Sequence, residues 1–212
     1  MPTSSESSSS ASCSRKPSAG EFMPGDYFKR IHPSEIFGNS HPVEIDLGCG
    51  DGTFLIEMAK KYPERNFLGV ERLLGRVRGV CKQITDLGLT NAKVLRLESN
   101  YTVEYLLENH SISRLHLLCP DPWPKARHHK RRLVQQPFLT NLHQLLSKDG
   151  EFLFKTDHPE YFEWVCEEME TFQKFRQLDW AEDAFFYPKT DFQRLWESEG
   201  KKIHRLRFQP VD

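Results

Sequence analysis

Short apolar runs alternate with segments of helical periodicity along most of the chain. Runs of mainly apolar residues predict β-strands at 43–47, 66–70, 93–97, 114–118 and 151–154. Apolar residues three or four apart predict helices at 53–62, 74–87, 103–108, 137–146 and 161–169. Strands that alternate with helices predict an α/β fold with a mostly parallel central sheet, right-handed crossovers and helices on both faces. Two further strands are predicted around 176–178 and 205–208.

The first 20 residues differ from the rest of the chain, because they are rich in serine and almost devoid of large apolar side chains. Such a segment buries too little surface to offset its ordering entropy, so we predict that residues 1–20 form a disordered tail. Residues 21–212 are long enough to form a single domain with a substantial core. Three of the four tryptophans are expected in that core, namely Trp164, Trp180 and Trp196.

Composition narrows the class of protein. Five cysteines without a CxxC pair favour reduced thiols over a disulfide framework or a zinc site. The formal net charge of −1 excludes a uniformly basic protein, so any attraction for polyanions must come from segregated charge. No apolar run approaches the ~18 residues of a membrane span, and the N-terminus has no signal-peptide core. We therefore expect a cytoplasmic protein that does not associate with membranes.

A glycine turn follows the first predicted strand. Gly48, Gly50 and Gly52 open the first helix, where glycine permits positive φ and a close approach of ligand to backbone. The G-x-G-x-G spacing differs from the dinucleotide pattern G-x-G-x-x-G, and no G-K-[ST] follows it. Glu71, at the end of the second strand, suits a ribose diol, a feature shared by NAD and S-adenosylmethionine sites. Asp46 either binds a cationic cofactor or braces the turn.

The stretch at 119–133, C-P-D-P-W-P-K-A-R-H-H-K-R-R-L, follows the fourth predicted strand. Its three prolines exclude a helix or a central strand, and they enclose Asp121 and Trp123 in a rigid loop. The following cations, which we expect to contact phosphates, are Lys125, Arg127, Lys130, Arg131 and Arg132. His128 and His129 have no third ligand at a helpful spacing, so no metal is predicted. The pattern indicates a site where a flat base meets an acid beside a polyanionic backbone.

Three motifs resemble the tRNA (guanine-N7)-methyltransferase family: I-D-L-G-C-G-D-G, F-L-G-V-E and P-D-P-W-P-K-A-R-H-H-K-R-R-L. The resemblance runs from about Pro42 to the C-terminus and does not include the serine-rich tail. It implies a Rossmann-like class I methyltransferase fold with S-adenosylmethionine as the cofactor. It also implies tRNA as the partner, with a guanine in the variable loop as the acceptor. The sequence leaves a monomer and a homodimer equally open.

The resemblance also assigns candidate site residues. The cofactor contacts, to which the turn adds Gly48, fall on Asp46, Glu71, Asn100 and Asp121. The substrate contacts fall on Lys125, Asp157 and the segment at 190–193, which includes Thr190 and Gln193. The family commonly has Glu at the positions of Asp46 and Gln193, and the spacing around Asn100 differs. Asp157 and Thr190 could instead cap the helices that follow them, as capping boxes with Glu160 and Gln193.

The expected mechanism needs no general base, because N7 of guanine has a free lone pair and no proton to remove. Asp121 is the candidate catalytic residue, stabilising the base as it becomes cationic. Three alternatives stay open: a methyltransferase for an exocyclic amino group, an NAD-dependent oxidoreductase, and a catalytically silent RNA-binding module on the same fold.

Overall fold

The computed structural model of the chain describes residues 18–181 and 184–211. Most of the predicted disordered tail, residues 1–17, lies outside the described residues. The last three residues of the predicted tail, 18–20, lead into the edge of the sheet. There the amide of Val94 donates to the carbonyl of Gly20 (2.8 Å). None of the helices in the described part of the chain has the length and apolar character of a bilayer span.

The fold is a mixed eight-stranded sheet with helices on both faces. The strands are β1 (Glu21–Phe22), β2 (Val43–Leu47), β3 (Asn66–Val70), β4 (Ala92–Leu95), β5 (Ile112–Leu118), β6 (Leu146–Thr156), β7 (Phe175–Leu178) and β8 (His204–Pro210). The α-helices are α1 (Pro33–Phe37), α2 (Thr53–Lys61), α3 (Leu74–Asp86), α4 (Ser99–Tyr101), α5 (Gln136–Leu145), α6 (Pro159–Phe172) and α7 (Asp191–Ser198). A π-helical turn at Thr102–Leu106 and a 3₁₀-helix at Ala126–Arg131 complete the described secondary structure.

The strand order is β1-β4-β3-β2-β5-β6-β8-β7. The first six strands in this order are parallel, and β8 and β7 pair antiparallel at the far edge. The chain builds outwards from β2 to β3 and β4, then crosses back to place β5 on the other side of β2. This reversal creates a topological switch point between the carboxyl ends of β2 and β5, where open α/β sheets bind their ligands.

Alternation within buried strands sends side chains into a core on each face of the sheet. On β3, Phe67 packs with α2 and α3, whereas Leu68 and Val70 face the cluster formed with α5 and α6. All five residues of β2 and all five of β3 are buried, as expected for central parallel strands covered on both faces. The carboxyl ends of these strands are therefore held in fixed positions.

Most predicted elements are confirmed, and the differences have local causes. The predicted strand at 93–97 ends at Leu95, and the predicted helix at 103–108 is replaced by α4 and the π-helical turn. The predicted strand at 151–154 is longer, from Leu146 to Thr156, and its pairing with β5 shifts register between Ile112 and Arg114, with the extra residues on β6. The short elements β1 and α1 were not predicted.

Candidate active site

Two loops lie side by side at the carboxyl edge of the sheet. The glycine turn, residues 48–52, follows β2, and the proline-rich loop, residues 119–125, follows β5. Leu47 is the register partner of Leu117 on β5, so the two loops flank the switch point. Glu71 follows β3 on the other side of β2. The structure therefore brings together the three motifs that the sequence singled out.

The glycine turn has the predicted backbone conformation. Gly48, Gly50 and Gly52 have φ values of 75°, 59° and 80°, the left-handed region that glycine occupies without strain. A Cβ at Gly52 would lie 2.5 Å from Cγ1 of Val80 on α3, so this position also requires glycine for packing. A Cβ at Gly48 would meet nothing within 4 Å, so the turn borders open space on that side.

Asp46 is a buried carboxyl in a group of acids. Its side chain is 4% exposed, and burial, followed by the nearby Asp51 and Glu71, raises its pKa to about 7. Among the described residues, no basic side chain forms a salt bridge with Asp46. The site therefore holds an excess of negative charge next to the open side of the turn, an arrangement that favours a cationic ligand.

Glu71 is held in a defined orientation at the end of β3. One carboxylate oxygen accepts a hydrogen bond from the amide of Leu73 (2.8 Å), and the other lies 3.6 Å from Nη1 of Arg76. The side chain is 6% exposed, and these two contacts leave part of its acceptor capacity unused. This position agrees with the predicted strand-end acid, and its ribose contact stays a prediction.

The proline-rich loop has two residues in left-handed conformations that L-residues rarely adopt. Cys119 has φ 49° and Trp123 has φ 47°. Such backbone conformations persist where the surrounding contacts hold them, and they cluster at functional sites. The amide of Cys119 donates to the carbonyl of Lys155 on β6 (2.8 Å), which anchors the start of the loop. Asp121, between these residues, is exposed.

Arg132 anchors the other end of this loop, which corrects the prediction that it contacts phosphates. The residue is only 2% exposed, its Nε donates to the carbonyl of Pro122 (2.9 Å), and its Nη2 donates to Glu160 (3.0 Å). Its guanidinium also lies over the rings of Tyr161 (5.1 Å) and Trp164 (5.2 Å). Arg132 is thus a structural cation, whereas the other four cations of the stretch are exposed: Lys125, Arg127, Lys130 and Arg131.

Trp123 lies among cationic and aromatic groups on the surface of the loop. The guanidinium of Arg131 lies 4.8 Å from the centre of the Trp123 ring, and His128 packs edge-on against it at 5.9 Å. His129 does not take part in this contact; its Nε2 lies 3.0 Å from a carboxylate oxygen of Glu160. The half-buried tryptophan and the exposed arginine together offer an aromatic face beside positive charge, which suits a nucleotide.

Comparison with known proteins decides the family. A family model described as "Putative methyltransferase" matches residues 40–206. A tRNA (guanine-N(7)-)-methyltransferase of Syntrophotalea carbinolica is 34% identical over 177 residues, covering 82% of this chain and 76% of that protein. One of Vibrio parahaemolyticus is 37% identical over 173 residues, covering 81% and 71%. The chain belongs to the tRNA (guanine-N7)-methyltransferase family.

The fold of this methyltransferase agrees with solved structures. A 16S rRNA methyltransferase, KamB, superposes with a TM-score of 0.63 at 16% identity, covering 84% of this chain and 92% of that one. At this identity the likeness concerns the fold alone, and it confirms the predicted Rossmann-like methyltransferase architecture.

The remaining predicted site residues of the methyltransferase lie around the same edge of the sheet. Asn100 is exposed on α4, and Lys125 is exposed at the start of the 3₁₀-helix. Asp157 does not cap α6, because His158 occupies that position without a side-chain cap. Instead, one oxygen of Asp157 lies 3.6 Å from the ammonium of Lys201. The capping alternative for Asp157 is therefore wrong.

Thr190 caps α7 as the capping-box pattern predicted. Its hydroxyl accepts from the amide of Gln193 (3.0 Å). The Gln193 side chain does not return the bond, since its carbonyl accepts from Lys155 (3.2 Å) and its amide donates to Glu197 (2.8 Å). Gln193 is 6% exposed and lines a pocket, so it lies next to the site with both polar ends already bonded.

A pocket of about 410 Å³ lies between α7 and the adjoining ends of β6 and β8, and the sequence alone did not indicate it. Trp180 and Tyr187 line it, with ring centres 4.9 Å apart, and the ammonium of Lys155 lies 4.5 Å from the Tyr187 ring. The expectation that Trp180 and Trp196 are core residues is thus wrong, because both are only half-buried and belong to neither core cluster of the described residues. Trp164 is also half-buried, but it packs against the core as expected.

A buried polar chain fixes one wall of this pocket. The Tyr187 hydroxyl lies 2.7 Å from Nδ1 of His116 on β5, and Nε2 of His116 lies 2.8 Å from Glu44 on β2. Arg65 and Arg114 neutralise Glu44 at 2.8 and 3.5 Å, and burial lowers the pKa of His116. A neutral His116 donates from Nε2 to the carboxylate and accepts from the hydroxyl. The sequence signal for this hydrogen-bonded chain was the presence of Glu44 and His116 inside otherwise apolar predicted strands.

Proposed function

We propose that this chain transfers a methyl group from S-adenosylmethionine to N7 of a guanine in the variable loop of tRNA. One observation carries the proposal: the loop with Asp121 and Trp123 lies beside the glycine turn at the switch point of a methyltransferase-family sheet. The curated relatives described above bear the name of this reaction. A donor at the turn and an acceptor at the loop would then face each other across the switch point.

The residues around the glycine turn fit such a donor. S-adenosylmethionine carries a sulfonium and an ammonium group, and when bound it supplies an activated methyl group. Asp46, Asp51 and Glu71 concentrate negative charge there, and the pKa of Asp46 near 7 reflects burial and the repulsion of its two neighbours. A cationic ligand would relieve this repulsion and favour the ionised carboxylate. We assign Asp46, Gly48, Glu71, Asn100 and Asp121 to donor binding.

Asp121 has the central role on the acceptor side. A purine N7 needs no general base, so the chain has to position the base and stabilise the charge that develops on it. An exposed carboxylate on a rigid loop can do so without reorganisation. Trp123, next to it on the same loop, supplies an aromatic surface for the base. We assign the substrate contacts to Lys125, Asp157, Thr190 and Gln193.

The exposed cations of the proline-rich stretch would hold the tRNA backbone. Lys125, Arg127, Lys130 and Arg131 can neutralise phosphates, which makes binding dependent on salt concentration. In residues 18–181 and 184–211 no group of three or more His, Cys, Asp or Glu side chains could hold a metal ion. The cytoplasmic location and the choice between monomer and homodimer stay predictions.

Incubation with isotopically labelled S-adenosylmethionine and unmodified tRNA, followed by nucleoside analysis, tests the proposal. The expected product is 7-methylguanosine. Label on an exocyclic amino group would replace the proposal with the first alternative. Binding of tRNA without any label transfer would indicate the silent RNA-binding module, and binding of a nicotinamide cofactor instead of the sulfonium donor would indicate an oxidoreductase.

A further inference from the structure

The pocket beside α7 adjoins the donor site. Its lining includes Lys155, which is the register partner of Leu118 at the end of β5. At the other side, the hydroxyl of Thr53 in the first turn of α2 donates to Asp191 at the start of α7 (3.3 Å). Helix α7 therefore lies directly next to the glycine turn, and the pocket lies between this helix and the adjoining ends of β6 and β8. Lys155 also connects the pocket to the proline-rich loop, because its carbonyl accepts from the amide of Cys119 (2.8 Å). The size of the pocket is in the range of small-ligand sites.

Glu197 is the one carboxylate among the described residues that line this pocket. The other polar lining groups are mostly cationic, and the aromatic ones are Phe162, Trp180 and Tyr187. Glu197 lies on α7, one helical turn after Gln193, and its side chain is one-third exposed (33%). A partly exposed acid within an aromatic pocket can accept hydrogen bonds from a planar ligand with donor groups on its edge.

The contacts of Glu197 hold it in place and leave acceptor capacity free. One oxygen accepts from the amide of Gln193 (2.8 Å), and the other accepts from the ammonium of Lys189 (2.6 Å). The hydrogen bond from Gln193, and then the one from Lys189, lower the pKa of Glu197, so the group is ionised at neutral pH. A carboxylate has about four acceptor positions, so two remain for a ligand.

Gln193 cannot provide the same contact. Its carbonyl accepts from Lys155 and its amide donates to Glu197, so both ends of the side chain are bonded within the protein. Even if these hydrogen bonds of Gln193 were broken, its neutral amide would present one acceptor group and one donor group. The guanine edge presents two donors, N1–H and the 2-amino group. An acid is required to accept both, and Glu197 is the acid that the pocket contains.

We propose that Glu197 selects guanine by accepting hydrogen bonds from N1–H and the 2-amino group of the target base. The assignment rests on the proposed function. N7 and this edge lie on opposite sides of the purine, so Glu197 could hold one side while N7 faces the donor. Adenine has an acceptor at N1, which a carboxylate disfavours. Trp180 and Tyr187, whose rings meet edge to face with centres 4.9 Å apart, would form an aromatic wall beside this edge of the base.

Inosine substitution provides the decisive experiment, because inosine lacks only the 2-amino group of guanosine and keeps N7. Two tRNA transcripts are compared, with guanosine or inosine at the position that the wild-type protein methylates. The wild type should methylate the guanosine transcript with a kcat/KM about tenfold to a hundredfold higher, the effect of one hydrogen bond to a charged group. In Glu197→Gln and Glu197→Ala this ratio should fall at least several-fold, towards one for alanine.

The matched control is Glu199→Gln, which removes a charge near the end of the same helix from a side chain outside the pocket. It should keep the wild-type ratio, and all three variants should keep the wild-type affinity for S-adenosylmethionine. An unchanged guanosine-to-inosine ratio in folded Glu197 variants overturns the assignment, as does a wild type without guanosine preference. A wild type that forms no 7-methylguanosine at all would instead refute the proposed function.

Discussion

Asp46 should lower the stability of the free protein while it strengthens donor binding. In the folded chain the pKa of this carboxyl is about 7, against an ordinary value of 3.8. The folded state therefore holds a proton that the unfolded state releases at neutral pH. Stability from this group is highest below the unfolded value, falls as pH rises from about 4, and reaches its minimum above about 7. Replacement by asparagine removes the titration.

The magnitude follows from the pKa difference. A shift of 7 − 3.8, or about 3 units, corresponds to about 4 kcal/mol of lost stability at pH 8. At pH 5 most of the folded molecules are still protonated at Asp46, and the loss is only about 1–2 kcal/mol. Asp46→Asn should therefore stabilise the protein by about 4 kcal/mol at pH 8. For a chain of this size the gain in Tm is roughly 8–16 °C.

Thermal unfolding at pH 5 and pH 8 measures the effect, with Asp149→Asn as a control for loss of an exposed aspartate far from the turn. The gain of Asp46→Asn should be larger at pH 8 than at pH 5 by about 2–3 kcal/mol. Calorimetry should show weaker binding of S-adenosylmethionine by this variant at pH 8. In the wild type affinity should fall as pH drops through about 7. A variant that is less stable than the wild type at both pH values would refute the reasoning.

Two matched pairs test the roles assigned to other residues. Arg131→Ala should leave Tm unchanged and reduce the slope of log affinity for tRNA against log salt by roughly 0.7–0.9, the loss of one phosphate contact. Arg132→Met should instead lower Tm by about 4–8 °C, since the half-buried carbonyl of Pro122 loses its charged donor. Equal effects of the two substitutions on Tm would contradict the distinction. Gly52→Ala should destabilise the chain through contact with Val80, whereas Gly79→Ala, in an open helical position, should stabilise it by about 1 kcal/mol.

The central sheet and the glycine turn could be predicted because their signals are local. The apolar runs at 43–47 and 66–70 coincide with β2 and β3. Positive φ at Gly48 follows from the tight strand-to-helix turn, and the strand-end position of Glu71 follows from the length of the preceding run. In each case a few neighbouring residues determine the conformation, so periodicity and residue type were sufficient.

The role of Arg132 and the pocket could not be predicted, because both depend on contacts between distant segments. Arg132 belongs to a run of cations, and what distinguishes it from Arg131 is its contact with distant residues such as Glu160, 28 positions later. Tyr187 meets His116 across 71 positions, and the position of Trp180 depends on the antiparallel pairing at the far edge of the sheet. The residues next to Tyr187 and Trp180 in the sequence do not indicate which distant residues these two side chains contact.

The direct test of the two-loop site is the rate of methyl transfer by Asp121→Asn in a single turnover, measured beside its affinity for tRNA. The carboxylate is assigned to the charge that develops on the base, so the rate should fall by about a hundredfold. Affinity for tRNA should stay within a few-fold of the wild type, because the exposed cations hold the backbone. Equal losses of rate and affinity, or an unchanged rate, would contradict the assignment of Asp121 to the acceptor base.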